Sequence, residues 1–344
     1  MTLTTVFDVV LPGPVEPAEM HLRESPLRPP GTLDVTLRME ATGVSFAEQQ
    51  MRRGKYYEQP RFPFVPGYDL VGTVVAVGDG VDVSLIGQRF AAVTKTGGWS
   101  SHVIVPASDL LPVDGDADPV AVETLVVNGI TAWQMLFRTA RVKPGATIVV
   151  LGANGGVGNT LVQLARNEGI RVIGTASPAH HDLLAELGAE AVDYRDSQMY
   201  SRIRQLAPDG VDAVFDHVGG PSLTQSWKLL RAGGTLVSYG SAATMLDAGN
   251  ARLPLLRSYA QIVAWNLLPN GRSASLYDFW AGKRRRERYI GEQRSALKNV
   301  LELLRDAKIS PQIAARVPLS EIVRAVELAE SRTVAGKVVV VADA

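Results

Sequence analysis

The chain of 344 residues contains no cysteine. That excludes disulfides, a thiolate nucleophile and any cysteine-ligated zinc. It carries no net charge either: 35 basic residues balance 35 acidic ones, so no bulk attraction to nucleic acid or membrane is expected. No stretch approaches a membrane span, and the first ten residues lack the basic start and long apolar run of a signal peptide. A cytoplasmic, soluble enzyme is the expected class. A chain of this length can bury substantial cores and is expected to form two domains. It has no convincing internal repeat.

What is present centres on Ile148–Val149–Val150–Leu151–Gly152–Ala153–Asn154–Gly155–Gly156–Val157–Gly158, an apolar strand running into a glycine-rich turn. Leu161, Val162, Leu164 and Ala165 then share a helical face, and Gly169 supplies a C-terminal stop. Glycine lets the backbone approach a pyrophosphate closely, and the helix N-terminus offers it N–H groups and a positive dipole end. Gly152, Asn154, Gly155, Gly156, Val157 and Gly158 are therefore candidate dinucleotide ligands; the alternative is an ordinary tight loop.

A second strand at 170–175 ends in Gly174–Thr175–Ala176–Ser177, with no carboxylate. NAD-selective sites place Asp or Glu there for the ribose 2′-hydroxyl. Ser177, His180 and Tyr194 can instead donate to a 2′-phosphate, which points to NADPH. His180 and His181 also read as an exposed pair at a helix start, and Arg195 as a solvated surface residue. A third strand, 211–216, leads into His217–Val218–Gly219–Gly220 and a helix carrying Leu223, Trp227 and Leu230. Gly233–Gly234 then turn into a strand ending at Gly240–Ser241. Strands alternating with helices imply a parallel sheet covered on both faces, with ligands at the carboxyl ends of its strands. Val218, Gly219, Gly240 and Ser241 are further candidate cofactor contacts.

The first third differs in kind. Runs at 33–40, 71–77, 89–93 and 101–105 are β-rich and punctuated by glycine and proline, as in an irregular barrel or partly open sheet. Ser45–Phe46–Ala47–Glu48 is a capping box opening a short helix. Near the end, 294–306 is an amphipathic helix with Leu297, Val300, Leu301 and Leu304; a helix at 319–329 and a strand at 336–341 follow. The expected fold is α/β. A β-rich domain (1–123 and 288–344) is left and re-entered by the chain, and a doubly wound parallel-sheet domain (124–287) lies between.

Gly43–Val44–Ser45–Phe46–Ala47–Glu48, Arg53–Gly54–Lys55–Tyr56, Pro66–Gly67–Tyr68–Asp69–Leu70–Val71–Gly72, Thr131–Ala132–Trp133, the glycine turn, Asp193–Tyr194–Arg195 and Gly336–Lys337 occur in an ordered series. In that order the chain resembles the medium-chain dehydrogenase/reductase superfamily, and within it the zinc-free quinone oxidoreductases of the zeta-crystallin-like branch. The resemblance implies a GroES-like catalytic domain, a Rossmann domain that binds NADPH, and homodimers paired through the last Rossmann strand, here 275–280. Zinc-dependent members carry Cys at the place of Ser45, His at that of Tyr68 and Cys near Val127. Hydroxyls bind Zn²⁺ poorly and valine not at all, so no metal site is expected. Quinone reductases usually have Asn at position 45 and Lys near 180; Ser45 and His180 adjust those cofactor contacts. Asp69, in place of the more frequent Glu, would be a buried anchor near the site.

The chemistry so implied is hydride transfer from NADPH to an electron-poor acceptor, either a quinone or a C=C conjugated to a carbonyl. Enone reduction builds charge on oxygen that a hydroxyl can stabilise, and the resulting enolate needs a proton. Tyr56 is the candidate donor, since related enoyl thioester reductases use a tyrosine at that position and a phenol stays protonated at neutral pH. Equally, Tyr56 and Tyr57 line an apolar pocket and solvent protonates a hydroquinone. Ser45 and Thr131 complete the catalytic candidates, Thr131 with an N-cap role as its alternative. Phe46, Phe62, Phe64 and Trp99 read as core or pocket wall. A dinucleotide-binding protein without turnover, as among structural crystallins, is the different class to be separated. The segment 246–288 is either a mobile cover or dimer surface. Its run Lys283–Arg284–Arg285–Arg286–Glu287–Arg288 has no interleaved aromatics and reads as a solvated helix start rather than a nucleic-acid patch.

Overall fold

The computed structural model describes residues 5–242 and 252–343, so part of the 246–288 segment lies outside the described residues. The chain divides into two units, residues 1–130 with 282–344, and residues 131–281. The first unit begins with the hairpin-like pair β1 (Thr5–Val9) and β2 (Leu22–Pro26). Strand β3 (Asp34–Val44) leads into helix α1 (Phe46–Arg52), then β4 (Asp69–Val77), β5 (Arg89–Val93), β6 (His102–Pro106) and β7 (Leu111–Pro112). Helix α2 (Pro119–Trp133) carries the chain onward.

The second unit alternates strictly: β8 (Thr147–Val150), α3 (Gly156–Asn167), β9 (Arg171–Ala176), α4 (His181–Glu186), β10 (Glu190–Asp193), α5 (Met199–Leu206) and β11 (Val211–Asp216). It ends with α6 (Pro221–Leu229), β12 (Leu230–Ser238), α7 (Arg252–Asn266) and β13 (Ser273–Leu276). The chain then re-enters the first unit as α8 (Arg286–Arg305), β14 (Ile313–Pro318), α9 (Ile322–Glu330) and β15 (Lys337–Val341).

The second unit's sheet has the order β10-β9-β8-β11-β12-β13, all parallel. Strands run outward from β8 to β10, then resume on the other side of β8 with β11. That reversal opens a crevice at the carboxyl ends of β8 and β11, where such sheets take ligands. Ile148, Val149 and Val150 of β8 are fully buried, as a strand covered on both faces requires. In the first unit β15 pairs antiparallel with β3, register Val338↔Val44, so the last strand completes a sheet begun near residue 34. Its sheet order is β14-β15-β3-β4-β5-β7, with β6 on the other part of β3.

Four expectations need correction. Leu230 opens β12 by pairing with Val211 instead of closing the preceding helix. Helix α8 starts at Arg286, because Tyr289, Ile290 and Gln293 extend the buried face upstream of 294. Strand β13 ends at Leu276, and the Asp278 carboxylate accepts the Trp280 N–H as the chain turns. Finally, Pro119–Thr139 is long and apolar enough to cross a membrane (mean hydropathy 1.3), yet 72% of that window is buried within the fold, as in a core helix. The first turn of α8 carries Arg286 and Arg288 exposed, in line with the solvated helix start.

Candidate active site

In the second unit the candidate residues are arranged around the end of β8. Gly152 has φ +67°, a left-handed backbone that glycine adopts without penalty, and a Cβ there would press into the His217 ring. Gly158 lies against the same turn: its Cβ would collide with the Gly152 carbonyl and sit 2.9 Å from Ala153 Cα. Gly155 is the N-cap of α3 and provides no side-chain cap, so the N–H groups of Gly156, Val157 and Gly158 point outward from the first turn. This geometry, with Asn154 in the turn, fits a pyrophosphate.

Thr175, which sequence reasoning passed over, pins the turn from β9: its hydroxyl accepts the Gly152 N–H at 3.0 Å and its carbonyl the Ala153 N–H at 2.9 Å. At the end of β11 the fully buried Asp216 organises the next loop. It accepts N–H groups from Val218 (2.8 Å) and Gly219 (3.0 Å) and hydroxyl hydrogens from Ser222 and Ser226 (both 2.7 Å). Gly240 packs so tightly that a Cβ would stand 2.5 Å from the His217 carbonyl, and the Ala242 N–H donates to that carbonyl. Val218, Gly240 and Ser241 are thereby gathered at the carboxyl edge of the sheet. His217 also escaped the sequence reading. Its Nδ1 stands 3.0 Å from the Leu151 carbonyl, which only accepts, so Nδ1 carries the proton and Nε2 is an acceptor. Burial lowers the His217 pKa and keeps the ring neutral.

Beyond β9, Ser177 is buried and Tyr194 is held nearby by its N–H to the Ala176 carbonyl at 3.2 Å. Tyr194 is exposed, and Arg195 lies over its ring at 5.6 Å, so these two form a pair rather than alternatives. Asp193 pairs in register with Ala176, a carboxylate that the strand-end search did not reach; its Oδ1 accepts the Arg195 N–H. His180 and His181 are half-buried, not an exposed pair, because the short turn Pro178–His180 packs them into the start of α4. Thr131 lies in the last turn of α2, so it is no N-cap. It is buried, three residues before Gln134, whose Oε1 accepts the Tyr277 hydroxyl at 2.8 Å.

The first unit holds its own set of buried or half-buried hydroxyls and carboxyls. Ser45 caps α1: its Oγ accepts the Ala47 N–H at 3.1 Å, while Glu48 reaches back to the Ser45 N–H at 2.9 Å. The capping box read from sequence is present, and the Ser45 hydroxyl is also bonded to Glu48. The other Glu48 oxygen accepts the Tyr68 N–H at 2.7 Å, and the Tyr68 hydroxyl meets that of Tyr56 at 3.0 Å. Tyr56 packs its ring on Tyr57 at 4.7 Å.

Beneath this lies a buried ionic group. Lys337 Nζ is 3.2 Å from both Asp69 oxygens and 2.5 Å from Glu123 Oε1, and Asp69 also accepts the Val127 N–H at 3.0 Å. Asp69 is thus the buried anchor expected of it. A Cβ on Gly43 would stand 2.6 Å from Glu123 Oε1 and strike Lys337, so only glycine there leaves room for the lysine. One ammonium faces three carboxyl groups. Burial pushes the Glu48 pKa up, and burial pushes that of Glu123 up further; burial opposes the Lys337 charge, but Asp69 and Glu123 outweigh it and hold the lysine protonated.

These donors do not fit zinc. Ser45 is engaged by Glu48, Tyr68 by Tyr56, and Val127 presents only its N–H to Asp69. Among the described residues no group of three His, Cys, Asp or Glu could hold a metal ion.

A chain that holds a glycine-cradled parallel sheet in one unit and buried hydroxyls in a β-rich unit has the parts of a nicotinamide-type oxidoreductase scaffold. The alcohol dehydrogenase GroES-like domain family matches residues 31–115, and the zinc-binding dehydrogenase family residues 187–340. The chain is 30% identical over 330 residues to the human synaptic vesicle membrane protein VAT-1 homolog, covering 94% of this chain and 83% of the relative. It is 32% identical over 215 residues to a rat quinone oxidoreductase, covering 61% and 65%. A mycobacterial protein solved in complex with NADPH matches with TM-score 0.82 and 26% identity, covering 98% of this chain and 99% of the other. The chain belongs to the medium-chain dehydrogenase/reductase superfamily, in its zinc-free quinone oxidoreductase branch.

Proposed function

We propose that the protein is a zinc-independent, NADPH-dependent oxidoreductase that reduces quinones by hydride transfer. The observation that carries this reading is the cradle of Gly152, Gly155 and Gly158 at the uncapped N-terminus of α3, in a chain whose zinc-ligand positions hold Ser45, Tyr68 and Val127. The rat relative's name and the NADPH complex of the mycobacterial relative support it. When bound, the nicotinamide supplies the hydride. The α3 N–H groups hold the pyrophosphate. Ser177 and the Tyr194–Arg195 pair favour a 2′-phosphate, hence NADPH over NADH. Asp216 fixes the Val218–Gly219 loop, and Thr175 keeps the glycine turn from shifting.

The Tyr56–Tyr68 hydroxyl pair favours a second reading, reduction of a C=C conjugated to a carbonyl. There Tyr56 gives its proton to the enolate carbon or oxygen while Tyr68 keeps the phenol oriented. NADPH and NADH oxidation against a benzoquinone, a naphthoquinone, a linear enone and an enoyl thioester separates the readings. Turnover confined to quinones supports the first; turnover confined to enone or thioester replaces it with the second. Binding of NADPH with no acceptor reduced would establish a non-enzymatic binder. Under the second reading Tyr56→Phe lowers kcat with the enone by about a hundredfold and barely changes quinone turnover. An equal effect on both substrates removes the proton-donor role.

The protein is further proposed to be a cytoplasmic homodimer. Leu256, Tyr259, Val263 and Leu267 form an exposed apolar stripe at helical spacing along and just beyond α7. Beside it, the Asn266 amide already takes the N–H and C=O of Ala274, at 2.8 and 2.9 Å. A second copy is therefore expected to cover the helix face more than the β13 edge. Val263→Glu should yield monomers in sedimentation velocity with the circular dichroism unchanged; a persistent dimer would reject that surface.

A further inference from the structure

Lys95 has φ +66°, a left-handed backbone that costs a residue with a Cβ on the order of 1 kcal/mol. The N–H groups of Thr94 and Lys95 both converge on the Tyr68 carbonyl, at 2.9 and 3.0 Å, which locks this loop to the tyrosine pair. As a result the Lys95 ammonium stands 5.6 Å from the centre of the Tyr56 ring and 2.5 Å from Glu58 Oε2. Lys283, where the chain re-enters this unit, approaches the same carboxylate oxygen at 3.2 Å. A staple between two loops needs one lysine on one carboxylate. Here two ammonium groups share it, so the Lys95–Glu58–Lys283 trio is net positive beside the Tyr56 ring. Hydrogen bonds from Lys95 and then Lys283 hold Glu58 below the usual carboxylate range, so the acid does not shed its charge to the lysines' benefit. The cluster is part-exposed, and Arg284 and Arg285 extend the positive charge along the chain.

We propose that the acceptor substrate carries an anionic group, carboxylate or phosphate, and that Lys95, Glu58 and Lys283 select it. This rests on the reading that the Tyr56–Tyr68 pair faces the acceptor. The two lysines attract the anion; Glu58 sets how strongly, by cancelling one of their charges. Being part-exposed, the cluster acts with screened strength, worth severalfold rather than orders of magnitude.

The test compares acceptors matched except for charge. Benzylideneacetone para-carboxylate is set against its methyl ester, and crotonyl-4′-phosphopantetheine against uncharged crotonylpantetheine. For each pair the ratio of kcat/KM, charged over neutral, is measured for wild type, Lys95→Gln, Lys283→Gln and Glu58→Gln. The ratio should exceed one in wild type and fall about threefold to tenfold in each lysine variant. It should rise in Glu58→Gln and shrink with added salt. A merely structural role would alter both members of a pair together. A preference in the carboxylate pair alone assigns a carboxylate ligand; one in the thioester pair alone assigns the phosphate. A ratio that is the same in all four proteins overturns the proposal and leaves the oxidoreductase reading standing. Should wild type reduce none of these, the oxidoreductase reading falls for such acceptors. Equilibrium binding of the acid and its ester, followed by intrinsic fluorescence, then decides the charge selection by the same order of variants.

Discussion

Replacing Gly158 by alanine is expected to weaken NADPH binding by at least about a hundredfold, the scale of loss that a misplacement of about an ångström produces. Alanine is intrinsically the better helix residue, by about 1 kcal/mol, so helix propensity would predict a gain. The sterics run the other way. The new methyl collides with the Gly152 carbonyl and sits 2.9 Å from Ala153 Cα, and backbone atoms cannot swing aside like a side-chain end. Helix α3 must retreat from the turn, taking the Gly156, Val157 and Gly158 N–H groups with it. At Gly155 a Cβ would stand 3.4 Å from the Gly152 carbonyl, an ordinary contact, so Gly155→Ala should cost far less on the protein side. Fluorescence titration of NADPH into the two variants checks this. Wild-type affinity in Gly158→Ala would show that the cofactor does not depend on this cradle.

That cradle was legible because strand, turn and helix are contiguous: β8, Gly152 and α3 fall within residues 147–167. The Ser45–Glu48 capping box was legible for the same reason, both partners lying within one turn. What local pattern cannot reveal is who meets whom across the chain. Thr175 bonds Gly152 across 23 residues, His217 bonds Leu151 across 66, and Lys337 bonds Asp69 across 268. Thr175 and His217 each looked like the unremarked end of a strand. Their importance comes from the parallel register that sets β9 and β11 on either side of β8.

Some signals were present but outweighed. Helix α8 was bounded at 294 by the apolar pattern of Leu297, Val300, Leu301 and Leu304, although the run at 283–288 read as a helix start and Tyr289 and Ile290 already continue the buried face between them. Asp193 was missed because the search for an acid followed β9, while the carboxylate comes from the neighbouring strand. Glu123 is the clearest case. It sits among Val120, Val122, Leu125 and Val126 as the one charged residue of a largely apolar helix, where a lone carboxylate needs a buried partner. The partner, Lys337, was quoted only as part of a terminal motif, and nothing in the spacing joined the two.

Removing that partner gives the second large effect. Lys337→Met is expected to destabilise the fold by about 3–5 kcal/mol near neutral pH, the usual cost of stripping one member from a buried ionic group. Methionine fills most of the lysine's space under Gly43, so the loss is chiefly electrostatic: Asp69, Glu123 and Glu48 remain without their ammonium. The pH dependence follows from the raised carboxyl values. Glu48 and Glu123 already lie above 4.5 in the native protein, and Lys337 is among the charges that hold them down, so removing it raises them further. Over the interval from the unfolded value up to the raised native one, the folded protein binds more protons than the unfolded chain. Stability therefore falls as pH rises through that interval, and falls more steeply in the variant. The variant's deficit should shrink on acidification from about pH 8 to about pH 5, until carboxylate losses elsewhere take over. Thermal unfolding of both proteins across that range reads the difference directly. Adding Glu123→Gln to the variant should recover part of the loss at neutral pH, since the amide carries no charge to neutralise. A deficit that stays constant with pH and is not relieved by Glu123→Gln would mean that Lys337 acts through packing alone.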